Sequence, residues 1–350
     1  MTLNIDLLKK ICETPGAPGF EERIRNVVID EIKHLVDEYY IDNLGNLITI
    51  RKGKADRKLM MTAHMDEISF IVTHIEDEGF IRFHPLGGFD PKTLTAQRVI
   101  VHGKKDMIGV MGSKPIHIMK PEERTKAPLL SDYYIDMGMG KAEIEKFINI
   151  GDPITRERAL IEMGDCVNSK SLDNRISVYI LIETLRALST EDLPYDLYAV
   201  FTVQEEVGIR GVSPATHAIE PDFGINLDVT IAFDTPGAQA WEVITKLGKG
   251  TAIKIADGSV ICDTRMVRFM KYMAEKHGIP WQPEIMVAGG TDTAGLQRSG
   301  KGGSISGAIS IPTRNIHSVI EMANKQDVIN SILLAKHCAL ELHEFDWSHL

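Results

Sequence analysis

Apolar residues at helical spacing open the chain: Ile24, Val27, Val28, Ile32, Leu35 and Val36 predict a helix over 21–37. A shorter helix over 4–13 precedes it, stopped by the proline–glycine run from Pro15 to Gly19. Short apolar runs at 39–41, 47–50 and 58–63 predict strands, and His64 and Asp66 stand at the end of the third. The texture then changes. Short strands at 70–73, 80–83, 98–101 and 107–110 follow, interrupted by one helix near 142–148. This pattern predicts a β-rich module over 70–163, inserted into a larger domain made of 1–69 and 164–350. Beyond Asp173 alternation resumes, with helices over 177–188, 264–277 and 325–343 and strands over 197–203, 224–227 and 307–311. The predicted fold class is therefore α/β, a mixed sheet flanked by helices, with a barrel-like β insert.

Composition narrows the partners. The 350 residues are 43% apolar and 25% charged, with a formal net charge of -10. That balance argues against nucleic acid, which needs a basic surface. No run reaches the roughly 18 apolar residues of a membrane span. Four scattered cysteines, Cys12, Cys166, Cys262 and Cys338, form no zinc or disulfide pattern. With no signal-like start, the expected location is the cytoplasm.

The candidate chemistry sits at predicted strand and loop ends: His64, Asp66, Asp173, Glu205, Glu206, Asp228 and His317. Sites in α/β sheets gather outside the carboxyl ends of strands. Each residue has a plainer alternative. Asp173 could cap the following helix, Glu205 and Glu206 could be a solvated strand end, Asp228 a turn residue, and His317 a surface histidine. Taken together, two histidines and several carboxylates suit two zinc-like ions with an open position for water. Such an ion pair can acidify water and polarise a carbonyl, and a free carboxylate can carry the proton.

The segments Ala63-His-Met-Asp-Glu-Ile68, Leu172-Asp-Asn-Arg175, Gln204-Glu-Glu-Val-Gly208, Leu227-Asp-Val-Thr230 and Pro312-Thr-Arg-Asn-Ile-His317 closely resemble the tetrahedral aminopeptidase family. The resemblance runs over nearly the whole chain. It implies that His64 and Asp228 hold one divalent ion, that Glu206 and His317 hold the other, and that Asp173 bridges them. It makes Glu205 the general base and Asp66 the acceptor that fixes the His64 tautomer. It also implies two divalent ions per subunit, short peptide substrates, and a homo-oligomer such as a tetrahedral dodecamer; histidine–carboxylate donors accept zinc, the first choice, or cobalt or manganese. The β insert would serve assembly and substrate access. Ser69 and Asn174 depart from the family pattern at positions that are not ligands. The segment from Gly289 to Asp292 resembles one near the family's substrate pocket, where Asp292 would touch substrate or simply form a turn. Arg210 or Arg265 could supply a cationic pocket for a glutamyl side chain. Two competing functions remain: a glycoside hydrolase of the endoglucanase type, needing no metal, and a catalytically silent assembly subunit.

Overall fold

A computed structural model describes residues 2–349 of the chain. Its centre is a group of parallel strands, Tyr195–Thr202, Ala55–His64, Phe223–Ile231 and Ile305–Arg314. Their apolar runs are nearly continuous because helices cover both faces of the sheet. Antiparallel strands Glu38–Ile41 and Leu47–Arg51 extend one side. Glu321–Asn324, Cys166–Ser169 and Ile161–Met163 extend the other. With Thr251–Ala256 and Trp281–Ile285 the mixed sheet has 11 strands among the described residues.

Helix Leu172–Ala187 is buried on almost every side, packed between the sheet and helices Ile5–Glu13 and Lys325–Glu341. A helix that is apolar around its circumference needs such a position. The outer helices are capped by asparagine side chains. Asn4 accepts the Leu7 amide, and Asn324 accepts the amides of Gln326 and Asp327. No helix among the described residues is long and apolar enough to cross a membrane.

Strands Ser69–Ile75, Ile81–Leu86, Tyr134–Asp136, Asp106–Gly112, Arg98–His102 and Pro153–Arg156 close into a barrel. The barrel has its own core, including Phe70, Ile81, Val99, Val101, Ile135 and Ile154. The mixed α/β class with a barrel-like β unit is as expected.

Several elements differ in extent from the sequence prediction. The helix over 21–37 ends at Ile32, because the Asp37 amide leaves the helix and donates to Ile50 O in the sheet at 2.9 Å. The helix near 142–148 is one turn, Lys141–Ile144; past it the Lys146 and Phe147 amides bond three residues back, to the carbonyls of Glu143 at 3.3 Å and Ile144 at 2.9 Å, in place of the helical four. Strand 224–227 continues to Ile231, paired with Ile305–Arg314 along its full length. Asp228 is therefore a residue within a strand and lies beyond no strand end.

Candidate metal centre

Two neighbouring strands set the site. Thr202 lies beside His64 in parallel register, so both chains leave the sheet at one level. Past that level the amides of 203–206 have no strand to pair with, and side chains take them instead. The Val203 amide donates to Asn46 Oδ1 at 3.0 Å and the Gln204 amide to Glu21 Oε1 at 3.1 Å. Those of Glu205 and Glu206 donate to the two oxygens of Asp66, each at 3.0 Å. Gln204 is left-handed at φ 54°, a cost for a side-chain-bearing residue that these four bonds hold in place. His317 is also left-handed, at φ 65°.

The structure brings the seven candidates to one place. His64 Nε2 lies 3.4 Å from Asp173 Oδ1, 3.8 Å from Glu205 Oε2 and 3.9 Å from Asp228 Oδ1. His317 Nε2 lies 3.3 Å from Asp173 Oδ2 and 3.4 Å from Glu206 Oε2. Asp173 thus presents one oxygen to each imidazole. The donor atoms of His64, Asp173 and Asp228 lie within 4.8 Å of one another, as do those of Asp173, Glu206 and His317. Glu205 belongs to neither triad.

Supporting contacts aim these groups. His64 Nδ1 bonds the Asp66 backbone carbonyl at 3.2 Å, with Asp66 Oδ1 at 3.3 Å, leaving Nε2 toward the carboxylates. The expected Asp66–His64 contact is present, but the carboxylate is mainly engaged with the two glutamate amides. Thr62 donates to Asn226, and Asn226 Nδ2 donates to Asp228 Oδ2 at 3.3 Å. Asn174 ties its segment to the Asp228 strand through Leu227 O at 3.0 Å. Glu321, which sequence patterns did not single out, accepts the Asp173 amide on one oxygen and the His317 amide on the other, each at 2.9 Å. Glu21 and Asn46 were missed in the same way. Their partners are backbone amides far away in sequence, and no local motif marks such a contact.

Burial is the leading electrostatic cause throughout. It pushes Glu205 well above the usual carboxylate range; His64 opposes this, while Asp228, Glu206 and Asp292 add to it. Burial likewise raises Glu206, helped by Asp173, and raises Asp228 to about 8. Asp173 is buried too, yet its hydrogen bonds to His317 and His64 hold it below its ordinary value. Burial opposes a charge on His317, but Glu206 and Asp173 outweigh it and raise the imidazole to about 11. Packing this many carboxylates together in a buried site is unfavourable without cationic charge. Glu206 Oε1 is buried with no hydrogen-bond partner among the described residues. An oxygen donor without a partner, in a histidine–carboxylate set, fits a divalent cation.

The cluster opens into a cleft of about 750 Å³ lined also by Phe89, Ile209, Met286, Gly290 and Thr291. Asp292 does not line it. Asp292 is buried, accepts the Thr202 hydroxyl, and is raised to about 6, chiefly by burial.

A helix-covered mixed sheet, a histidine–carboxylate cluster at the carboxyl ends of its parallel strands and an adjoining barrel together make the tetrahedral aminopeptidase fold. Aminopeptidase APDkam598 from Desulfurococcus kamchatkensis superposes with TM-score 0.92 at 39% identity, covering 96% of this chain and 94% of that one. The TET1 peptidase of Pyrococcus horikoshii, which can assemble into a tetrahedron or a large octahedral shell, gives 0.87 at 33% identity, covering 96% and 99%. The lysyl aminopeptidase of Pyrococcus furiosus is 34% identical over 351 residues, 98% of this chain and 99% of the relative. The chain belongs to the M42 glutamyl aminopeptidase family, whose pattern matches residues 45–334, and it is a peptide hydrolase. Membership in this metallopeptidase family implies a divalent metal, for which the two triads of this cleft are candidate ligand groups.

Proposed function

We propose that this chain is a cytoplasmic, dinuclear metal-dependent aminopeptidase that removes N-terminal residues from short peptides. The observation that carries this reading is Asp173, with one oxygen 3.4 Å from His64 and the other 3.3 Å from His317. In the proposal His64 and Asp228 hold one ion, Glu206 and His317 hold the second, and Asp173 is shared. Zinc is the first choice, with cobalt or manganese as alternatives, since such donors accept all three. The ions, when bound, supply Lewis acidity that polarises the scissile carbonyl and acidifies water.

Glu205 carries the proton. Its backbone is fixed by Asp66, it lies outside both triads, and burial raises its proton affinity. It takes a proton from the attacking water and returns it to the departing amine, so one carboxyl serves as base and then as acid. Asp66 supports the reaction by orienting His64 and both glutamates. The region 70–163 acts as an inserted domain for assembly and substrate access in a homo-oligomer, a tetrahedral dodecamer being the expected form.

The test is hydrolysis of amino-acid p-nitroanilides with metal counted on the same samples. We expect two ions per chain, activity abolished by chelator and restored by Zn, Co or Mn, and no cleavage of N-acetylated substrates. Activity that survives complete chelation would overturn the assignment.

A further inference from the structure

We propose that the cleft selects peptides whose N-terminal side chain is apolar, of leucine or methionine type, over acidic or basic ones. This inference rests on the aminopeptidase reading above. Beside the histidine–carboxylate cluster, the wall is formed by Phe89, Ile209, Val229, Ile231, Met286 and Ile316. Phe89, Ile209, Met286 and Ile316 are half-buried, so each has surface left that a substrate side chain can cover. Covering it removes apolar area from water on both partners.

The threonine hydroxyls in the wall already donate elsewhere. Thr230 donates its hydroxyl to Glu284 at 2.8 Å, and Thr291 donates to Asp257 at 3.1 Å. Both acceptors belong to a buried group closed by Lys254, whose ammonium lies 2.7 Å from Glu284 and 3.2 Å from Asp257. The lysine charge is matched there, and Lys254 does not line the cleft. A polar substrate side chain would therefore lose water and find neither hydroxyl proton free to replace it.

Charged side chains fare worse. Among the described residues no lysine or arginine lines the cleft. Arg265, one candidate for a glutamyl pocket, is held by Asp263 at 2.7 Å and donates to Trp347 O at 2.9 Å. Arg210, the other, is exposed, two residues past Gly208, which does line the cleft. For a basic side chain, Asp90 is the one lining carboxylate outside the cluster among the described residues. Asp90 is exposed, and its Oδ1 already accepts the Lys92 amide at 3.0 Å. An ion pair there would be weak in water.

The experiment compares kcat/KM for the leucyl, methionyl, lysyl and α-glutamyl p-nitroanilides on the metal-loaded enzyme. In parallel, calorimetry measures binding of leucinamide, lysinamide and glutamic acid α-amide to the Glu205→Gln variant. Leucyl and methionyl substrates should lead by on the order of 100-fold, and leucinamide should bind tightest. Ile209→Asp should cut the leucyl rate and raise the lysyl rate relative to it, while Arg210→Ala leaves the leucyl rate unchanged. A lysyl or glutamyl preference in both measurements overturns the inference while the aminopeptidase reading stands. Glutamyl activity lost on Arg210→Ala would identify the rim arginine as the true determinant. Absence of turnover on all four substrates overturns the aminopeptidase reading, and the calorimetric order still decides the selectivity.

Discussion

The backbone N–H of Glu205 rests 3.0 Å from Oδ1 of Asp66, and the next amide in the chain, that of Glu206, rests 3.0 Å from Oδ2 of the same carboxylate. One buried group thus fixes two successive amides where the strand has ended. The two glutamates are adjacent in sequence but are held so that Glu206 faces His317 and Glu205 faces His64. Asp66→Ala removes both acceptors and leaves two donors unpaired. We expect a loss of about 3 kcal/mol or more in urea unfolding, since hydrogen bonds to charged groups contribute about 1.5–3 kcal/mol each. Asp66→Asn keeps one acceptor oxygen and should fall between. Equal stability of all three proteins would contradict this role.

Glu205→Gln keeps the shape of the side chain and removes its capacity to take a proton. We expect kcat to fall by roughly 10²–10⁴-fold, the range for a positioned general base. Metal content should stay the same, because Glu205 belongs to neither donor triad. Loss of metal in this variant, measured by elemental analysis, would mean that Glu205 is a ligand.

Removing divalent metal should expose the repulsion among Asp173, Glu205, Glu206 and Asp228. Cations that bind only the folded chain stabilise it by about 2.7 kcal/mol when present at about 100 times Kd. Chelator treatment should therefore lower Tm, and adding Zn, Co or Mn should restore it. An unchanged Tm would show that the cluster is not occupied under those conditions.

Glu321→Gln should weaken metal binding without touching a proposed ligand side chain. Glu321 holds the Asp173 and His317 amides with separate oxygens, and glutamine offers one acceptor. Loss of such supporting partners weakens affinity by roughly 10–100-fold. Titration with a competing chelator measures it, and wild-type affinity would remove Glu321 from the supporting set.

Glu21 gives a pH dependence with a definite sign. Burial, reinforced by Asp66, raises its carboxyl from the ordinary 4.5 to about 7. Between those values the folded chain binds more protons than the unfolded one, so stability falls as pH rises through the window. The loss is complete above about pH 7 and amounts to about 3 kcal/mol, at 1.36 kcal/mol per unit. Glu21→Gln, in chelator-treated protein, should flatten the stability curve between pH 4.5 and 7 relative to wild type. Parallel curves for the two proteins would refute the assignment.

Periodicity and local patterns carried much of the fold. The helix beginning at Ile5, the strand ending at His64 and the closing helix from Lys325 were legible because their spacing and caps lie within a few residues. Strands Cys166–Ser169 and Glu321–Asn324 were not legible. Each has four residues and is held by pairing with strands from distant segments: they pair with each other, and Glu321–Asn324 also pairs with Ile305–Arg314. Asp228 read as the end of a short strand because the chain's apolar run breaks there. The pairing with Ile305–Arg314 that carries the strand past it is a contact between distant segments.

What the sequence determined by itself is the candidate donor set: which residues carry imidazole and carboxylate, and the flanking motifs that mark the family. Tertiary structure alone decided how those donors are held. The amides of Glu205 and Glu206 find Asp66, those of Asp173 and His317 find Glu321, and Gln204 finds Glu21, because each has left regular hydrogen bonding inside a buried site. A buried amide must be paired, and with no strand beside it the partner comes from wherever the fold brings an acceptor within reach.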